Sequence, residues 1–222
     1  MFPRTSLARH LCAASAVLLA SVVSVKVVRG SQKPYRPQAP AYREKGRPEA
    51  PIVIVEFSDL QCPACRFAVG PIKDLLKIYG QDIRLIFKHY PLHQHLLAQP
   101  AAVAAECAGR QGRFWDLHDL LYDKQADWAP KAPPATQAST QQPPLPQDFI
   151  PYGRSLGLDL TMFESCLQDP SVSALIKTDQ KDGDEHWVGS TPTFFINGKR
   201  FVGGRDLSRY GALWIDNILR KK

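Results

Sequence analysis

The sequence predicts an α/β fold, a central mixed sheet flanked by helices, and three stretches predict it. Pro51 to Cys65, PIVIVEFSDLQCPAC, reads as a buried strand, a tight turn and the start of a helix. Ile83 to Phe87 is a second buried strand. Between the two, the helical spacing of Ala68, Val69, Ile72, Leu75, Leu76 and Tyr79 makes a right-handed β-α-β unit with parallel strands. Thr193 to Ile196 and Lys199 to Val202 are strand runs joined by Asn197-Gly198, the strongest short-range signal for a two-residue antiparallel hairpin.

The first stretch also carries the chemistry. Ser58 and Asp59 are turn formers that end its strand, and the helix that follows begins at Cys62. Pro63 then lies in the first turn, where its missing N–H is not needed and its fixed φ suits a helix. Backbone N–H groups at such a start, together with the helix dipole, stabilise a thiolate on Cys62, the candidate nucleophile. Cys65, one turn later, can close a disulfide with it and is expected to be the more buried, resolving partner. Gly70-Pro71 interrupts the helical pattern and predicts a kink.

Two cysteines at this spacing also make half of a tetrahedral zinc site, which needs two further Cys or His ligands. The chain has no second C-x-x-C, and His93 and His95 sit in a loop without matching spacing, so no metal is assigned. A second element supports redox chemistry: Ser190-Thr191-Pro192-Thr193-Phe194 places a proline just ahead of a strand, either at a sheet edge or in a cis peptide.

Taken in order, VEFSDLQCPAC at 55–65, FKHYPL at 87–92, AAECAGRQGRFWDLHDLLY at 104–122, LGLD at 156–159 and STPTFFING at 190–198 give the chain its resemblance to a known family. From about residue 45 to 222 it resembles the DsbA-like branch of the thioredoxin-fold thiol–disulfide oxidoreductases. The resemblance implies a thioredoxin fold over 51–222, with a helical insertion at about 93–186 that forms a lid beside the active site. It implies that the Thr191-Pro192 bond is cis and faces Cys62 and Cys65, so that the backbone there pairs with a bound peptide. It also implies that Glu56, six residues before Cys62, is the buried acid that moves the proton of the resolving cysteine. Burial raises the pKa of such an acid into the range that proton transfer needs. On position alone, the lesser alternative for Glu56 is a surface glutamate at a strand end.

Net charge says little about partners. Of 28 Lys and Arg against 21 Asp and Glu, residues 1–50 hold nine and two, which leaves 19 of each in the rest. The basic balance therefore belongs to the N-terminal part and gives no support for a nucleic-acid surface. Residues 1–30, with Arg4 and Arg9 ahead of an uncharged apolar run from Leu11 to Val25, have the layout of a signal peptide or an N-terminal membrane anchor. Residues 31–50, with Pro34, Pro37, Pro40 and Pro48 among basic side chains, read as an extended, solvated linker.

Within the insertion, Pro100 to Asp123 reads as one helical stretch and Trp128 to Gln147 as a flexible low-complexity loop. Helices follow at Asp148 to Ser155, Leu160 to Gln168 and Val172 to His186, the last with Asp/Lys pairs on a wet face. Cys107 and Cys166 are either two small buried hydrophobes or, as expected in an exported chain and as the resemblance implies, a structural disulfide. After the hairpin, Asp206 caps a last helix whose apolar face includes Leu207, Tyr210, Trp214 and Ile218.

These readings make the chain an exported enzyme that forms disulfides in reduced secreted proteins or peptides through Cys62 and Cys65, with no cofactor of its own. The resemblance further implies a membrane quinone-linked partner that reoxidises it. Pro63-Ala64 carries no side chain able to add a hydrogen bond or charge to the thiolate, which keeps a reductase or isomerase of the same fold as an alternative. The reading from another class is a non-enzymatic metal- or copper-binding thioredoxin-like protein using the same two thiols.

Overall fold

A computed structural model of the chain describes residues 37–129 and 146–221. The leader expected at 1–30 and most of the loop expected at 128–147 lie outside the described residues. The sheet has five strands: β1 (Glu44–Lys45), β2 (Ile52–Ser58), β3 (Ile83–His89), β4 (Thr193–Ile196) and β5 (Lys199–Val202), in the order β1-β3-β2-β4-β5. β2 and β3 pair in parallel, Ile52 opposite Ile83 through Ser58 opposite His89. The other three pairings are antiparallel, so the sheet is mixed, and β4 and β5 form the hairpin turned by Asn197-Gly198.

Both faces of β2 are buried, which is why its run is apolar without alternation. Ile52 and Ile54 face one cluster with Ala68, Leu75, Phe194 and Leu207, drawn from β4 and from helices α1 (Pro63–Tyr79) and α8 (Gly203–Leu219). α8 lies close enough to α1 that a side chain added at Gly204 would come within 3.1 Å of the Ala68 backbone. α1 runs without a break through Pro71. Asp206 stands in the first turn of α8 rather than at its cap, which is Val202, and its carboxylate receives the Val202 N–H from inside the helix at 3.4 Å.

The other face meets the helical insertion between β3 and β4: α2 (Ala98–Gly109), α3 (Phe114–Asp123), α4 (Gln125–Trp128), α5 (Ile150–Ser155), α6 (Leu160–Leu167) and α7 (Pro170–Glu185). The single stretch expected over Pro100 to Asp123 is two helices, broken by a turn at Arg110 to Arg113 in which Gly112 takes φ +74°. α2 is alanine-rich and buried on nearly every side, the signature of a helix threaded through a core. Trp128, expected to open a loop, instead closes α4, with its indole N–H on the Leu121 carbonyl at 2.7 Å and its ring 5.2 Å from that of Phe149.

The linker expected over 31–50 is corrected at its end. The folded unit begins at Pro37, and β1 adds to the sheet edge beside β3. Gly46 follows with φ +94°, where a Cβ would lie 2.0 Å from the Ile83 carbonyl oxygen. Arg43 is fully buried, ion-paired with Asp179 and with Glu106. Asp179 also receives Lys88 Nζ at 3.3 Å, and so lies inside the protein rather than on the wet face of α7. Burying these charges is tolerable only because each has an opposite partner.

Candidate active site

Cys62 is the N-cap of α1 and Pro63 its first residue. The turn before it is tied off locally: Cys62 N–H donates to the Asp59 carbonyl at 3.0 Å, and the Cys62 carbonyl accepts from Cys65 and Arg66 N–H, each at 3.1 Å. Both thiols are free; Cys62 is 7% exposed and Cys65 0%. The Thr191-Pro192 peptide is cis, and Cys62 Sγ lies 3.5 Å from the Thr191 carbonyl oxygen, so the loop before β4 faces the dithiol.

The two thiols have opposite acidities. The Cys65 thiol, donating to Cys62, brings the Cys62 pKa down to about 6, helped by Thr191 and by the backbone N–H groups of Cys65 and Ala64, against the cost of burial. Burial, and then the neighbouring Cys62 sulfur, push Cys65 well up. A thiolate at Cys62 and a protonated Cys65 is the stable reduced arrangement.

Beneath the pair lies Glu56, 5% exposed, whose pKa is raised by burial to about 7. Ser58 Oγ donates to Glu56 Oε1 at 2.8 Å, and Ser58 also draws the Cys65 pKa downward against the effect of burial. Ser58 thus acts on both Glu56 and Cys65. Beyond Glu56 is a cavity of about 20 Å³, lined also by Lys45, Trp115, His118 and Asp119. His118 Nδ1 is hydrogen-bonded to Asp119 Oδ1 at 2.8 Å, and Lys73 Nζ reaches Asp119 Oδ2 at 3.0 Å. Burial lowers the pKa of Lys45, whose Nζ lies 4.1 Å from the centre of the Trp115 ring.

Several residues of the site were not singled out from the sequence. Asp59, 1% exposed, holds the active-site turn: its carboxylate accepts from Gln61 N–H at 2.7 Å, Leu92 N–H at 2.9 Å and His95 Nδ1 at 2.7 Å, and its own N–H points at Cys65 Sγ at 3.4 Å. Its bond to Gln61 is an Asx turn, for which an Asp two residues before Gln61 was the available signal. From the insertion, Gln125 Nε2 donates to the Leu60 carbonyl at 2.8 Å and the Cys62 carbonyl at 3.2 Å, and Tyr122 OH lies 3.2 Å from Ser58 Oγ. No local sequence signal marks either residue. Cys107 and Cys166 are joined in a disulfide across 59 residues, linking α2 to α6. Among the described residues, no group of three or more His, Cys, Asp or Glu side chains is placed to hold a metal ion.

A dithiol at a helix start, opposite a cis-proline loop on a mixed five-stranded sheet, defines a thiol–disulfide oxidoreductase of the thioredoxin fold. A family model described as Thioredoxin matches residues 39–216, and the chain belongs to that family. Among solved structures, the fold is similar to α-DsbA1 of Wolbachia pipientis (20% identity, TM-score 0.65, covering 83% of this chain and 94% of that one). It is also similar to BdbD of Bacillus subtilis (22%, TM-score 0.62, 80% and 91%) and to a thioredoxin-like oxidoreductase of Silicibacter pomeroyi (24%, TM-score 0.63, 84% and 95%).

The curated relatives are different in kind. The chain is 36% identical over 169 residues to a protein of Salinispora arenicola named Na(+)/H(+) antiporter NhaA 1, a match that covers 76% of this chain. A protein of the same name from Mycolicibacterium gilvum is 32% identical over 167 residues, covering 73%. The chain spans only about a quarter of the length of these relatives, 23% and 24%.

Proposed function

We propose that the chain is an extracytoplasmic oxidoreductase that forms disulfides in reduced secreted proteins or peptides. The observation that carries the direction is the split between a low Cys62 pKa, at about 6, and a raised Cys65. A substrate thiolate attacks Cys62 Sγ of the Cys62–Cys65 disulfide; the bond between the two enzyme sulfurs breaks and Cys65 leaves with its electron pair. Glu56, whose raised pKa of about 7 keeps it partly protonated at neutral pH, delivers a proton to Cys65 through the Ser58 hydroxyl. A second substrate thiolate then attacks the substrate sulfur of the mixed disulfide and expels the stabilised Cys62 thiolate. Two electrons pass from substrate to enzyme, and a membrane quinone-linked partner takes them away in the next half-cycle.

Thr191 and Pro192 present the backbone against which the substrate lies, and Glu56 is replenished through the cavity shared with Lys45 and the His118–Asp119 pair. The antiporter names of the curated relatives support work beside a membrane, and the apolar run at Leu11 to Val25 supports export with or without a tether. A milder, reductase- or isomerase-like potential is favoured by one observation: Pro63 and Ala64 give Cys62 no side-chain donor.

Equilibration of the purified protein with glutathione buffers, followed by trapping of free thiols and with Cys62→Ser as control, tests the reading. The expected potential lies well above thioredoxin's value of about −270 mV, toward about −120 mV. A potential at or below thioredoxin's would overturn the oxidative direction and leave a reductase.

A further inference from the structure

Resting on the oxidoreductase reading, we propose that the groove between the β3–α2 connection and α7 receives an extended segment of the substrate polypeptide beside its reacting cysteine, and that it selects segments bearing carboxylates. The groove has a volume of about 600 Å³, and its lining includes Thr191, whose carbonyl is 3.5 Å from Cys62 Sγ.

The groove is already formed. Its two walls are tied together, Gln180 Nε2 donating to the Pro91 carbonyl at 3.0 Å and Tyr90 OH lying 2.6 Å from Asp184 Oδ1 and 2.7 Å from the Val188 carbonyl. The ordering cost of binding therefore falls on the incoming segment and not on the walls. Thr191 lines the groove and is itself buried, so it presents a fixed wall to an incoming segment.

The charge of the lining points to the class of segment. Lys177 and Lys181 stand one helical turn apart on the exposed side of α7, and Lys177 has no ion-pair partner among the described residues. Lys181 has only the exposed Glu185, at 3.9 Å. The one carboxylate lining the groove, Asp184, is turned to Tyr90, whose hydroxyl donates to it, so the two lysines outnumber it in the lining. Because residues 51–222 carry 19 basic and 19 acidic side chains, this excess is local to the groove and not a share of a general field.

The test uses two dithiol peptides identical except that glutamates or lysines flank the cysteines, each mixed with the oxidised full chain. At low salt the glutamate peptide is expected to be oxidised about tenfold faster. The preference should vanish at about 1 M salt, where the screening length is about 3 Å. The Lys177→Glu/Lys181→Glu variant should reverse it. Lys77→Glu/Arg154→Glu, with the same change in net charge at positions outside the lining, should keep it. Equal rates for the two peptides, or the same loss of preference in both double variants, would overturn the proposal while leaving the oxidoreductase reading in place. Failure of the wild-type protein to oxidise even dithiothreitol would overturn that reading, and this proposal with it.

Discussion

Glu56 and Ser58 face the same side of β2, and the Ser58 hydroxyl donates to the Glu56 carboxylate at 2.8 Å. Residues two apart on a strand share a face, so one stretch of backbone sets the whole proton path beneath the dithiol. Burial raises the Glu56 pKa from 4.5 to about 7, and the linkage follows from that direction. The group costs no stability below the unfolded value of 4.5, and its penalty grows as pH rises through the folded value near 7. Glu56→Gln should therefore spare the protein up to about 3 kcal/mol of the stability that the wild type loses over that range, at about 1.4 kcal/mol per pKa unit. The same variant should slow the Cys65-dependent step by about 10²-fold, the low end for a positioned proton carrier. Chemical denaturation at several pH values beside stopped-flow exchange kinetics checks both; a variant with wild-type pH dependence would remove Glu56 from the path.

Arg43 carries a different kind of consequence. It is fully buried between Asp179 and Glu106, and Glu106 Oε1 lies 2.9 Å from His89 Nε2. Removing one partner from a buried charge network leaves the others uncompensated, so Arg43→Ala should cost about 3–5 kcal/mol. The loss should appear in urea titration as a lowered midpoint. A change within about 0.5 kcal/mol, the range of an ordinary surface substitution, would show that the segment before β1 does not hold the fold.

The features of this site that were legible in the sequence are those with local signals. Cys62, Pro63 and Cys65 declare themselves by spacing and by the rules of helix starts, and Asn197-Gly198 announces its hairpin. Glu56 and the cis peptide at Pro192 were reached through family resemblance, since neither spacing nor composition distinguishes a buried acid from a strand-end glutamate. Tyr122 and Gln125 were out of reach because the bonds that matter run to groups 63 to 65 residues away, and while Asp59 was legible as a turn former, its bond to His95, 36 residues on, was not. Arg43 was misread for the same reason. Its neighbours in sequence have the composition of a linker, while its partner Asp179 is 136 residues on. A charged side chain shows whether it is buried only through its partner, and the partner is set by topology.

The Cys107–Cys166 disulfide closes a loop of 59 residues between α2 and α6. In the chain-entropy account such a cross-link stabilises the fold by about 4 kcal/mol through the unfolded state. A Cys107→Ala/Cys166→Ala variant should lose roughly that much in denaturant titration and still exchange disulfides through Cys62 and Cys65 at the wild-type rate. Loss of exchange in a variant that remains folded would assign the bridge a part in the redox chemistry.

The Cys62 acidity has a measurable pH signature. Its pKa falls from 9.0 to about 6, first through the Cys65 thiol and then through Thr191 and the backbone N–H groups of Cys65 and Ala64. For an acid with a lowered folded pKa, the added stability is complete above the unfolded value, shrinks between 9.0 and about 6, and is gone below that. It exists only in the reduced protein, because the disulfide has no thiolate to stabilise. The reduced form should therefore melt above the oxidised form at pH 8, and the gap should narrow steadily on acidification toward pH 5. Thiolate absorbance of the reduced protein should titrate with a midpoint near 6. A midpoint near 9, with no narrowing of the gap, would show that Cys62 is not a stabilised leaving group, and the oxidative direction would then lose the physical reason given for it.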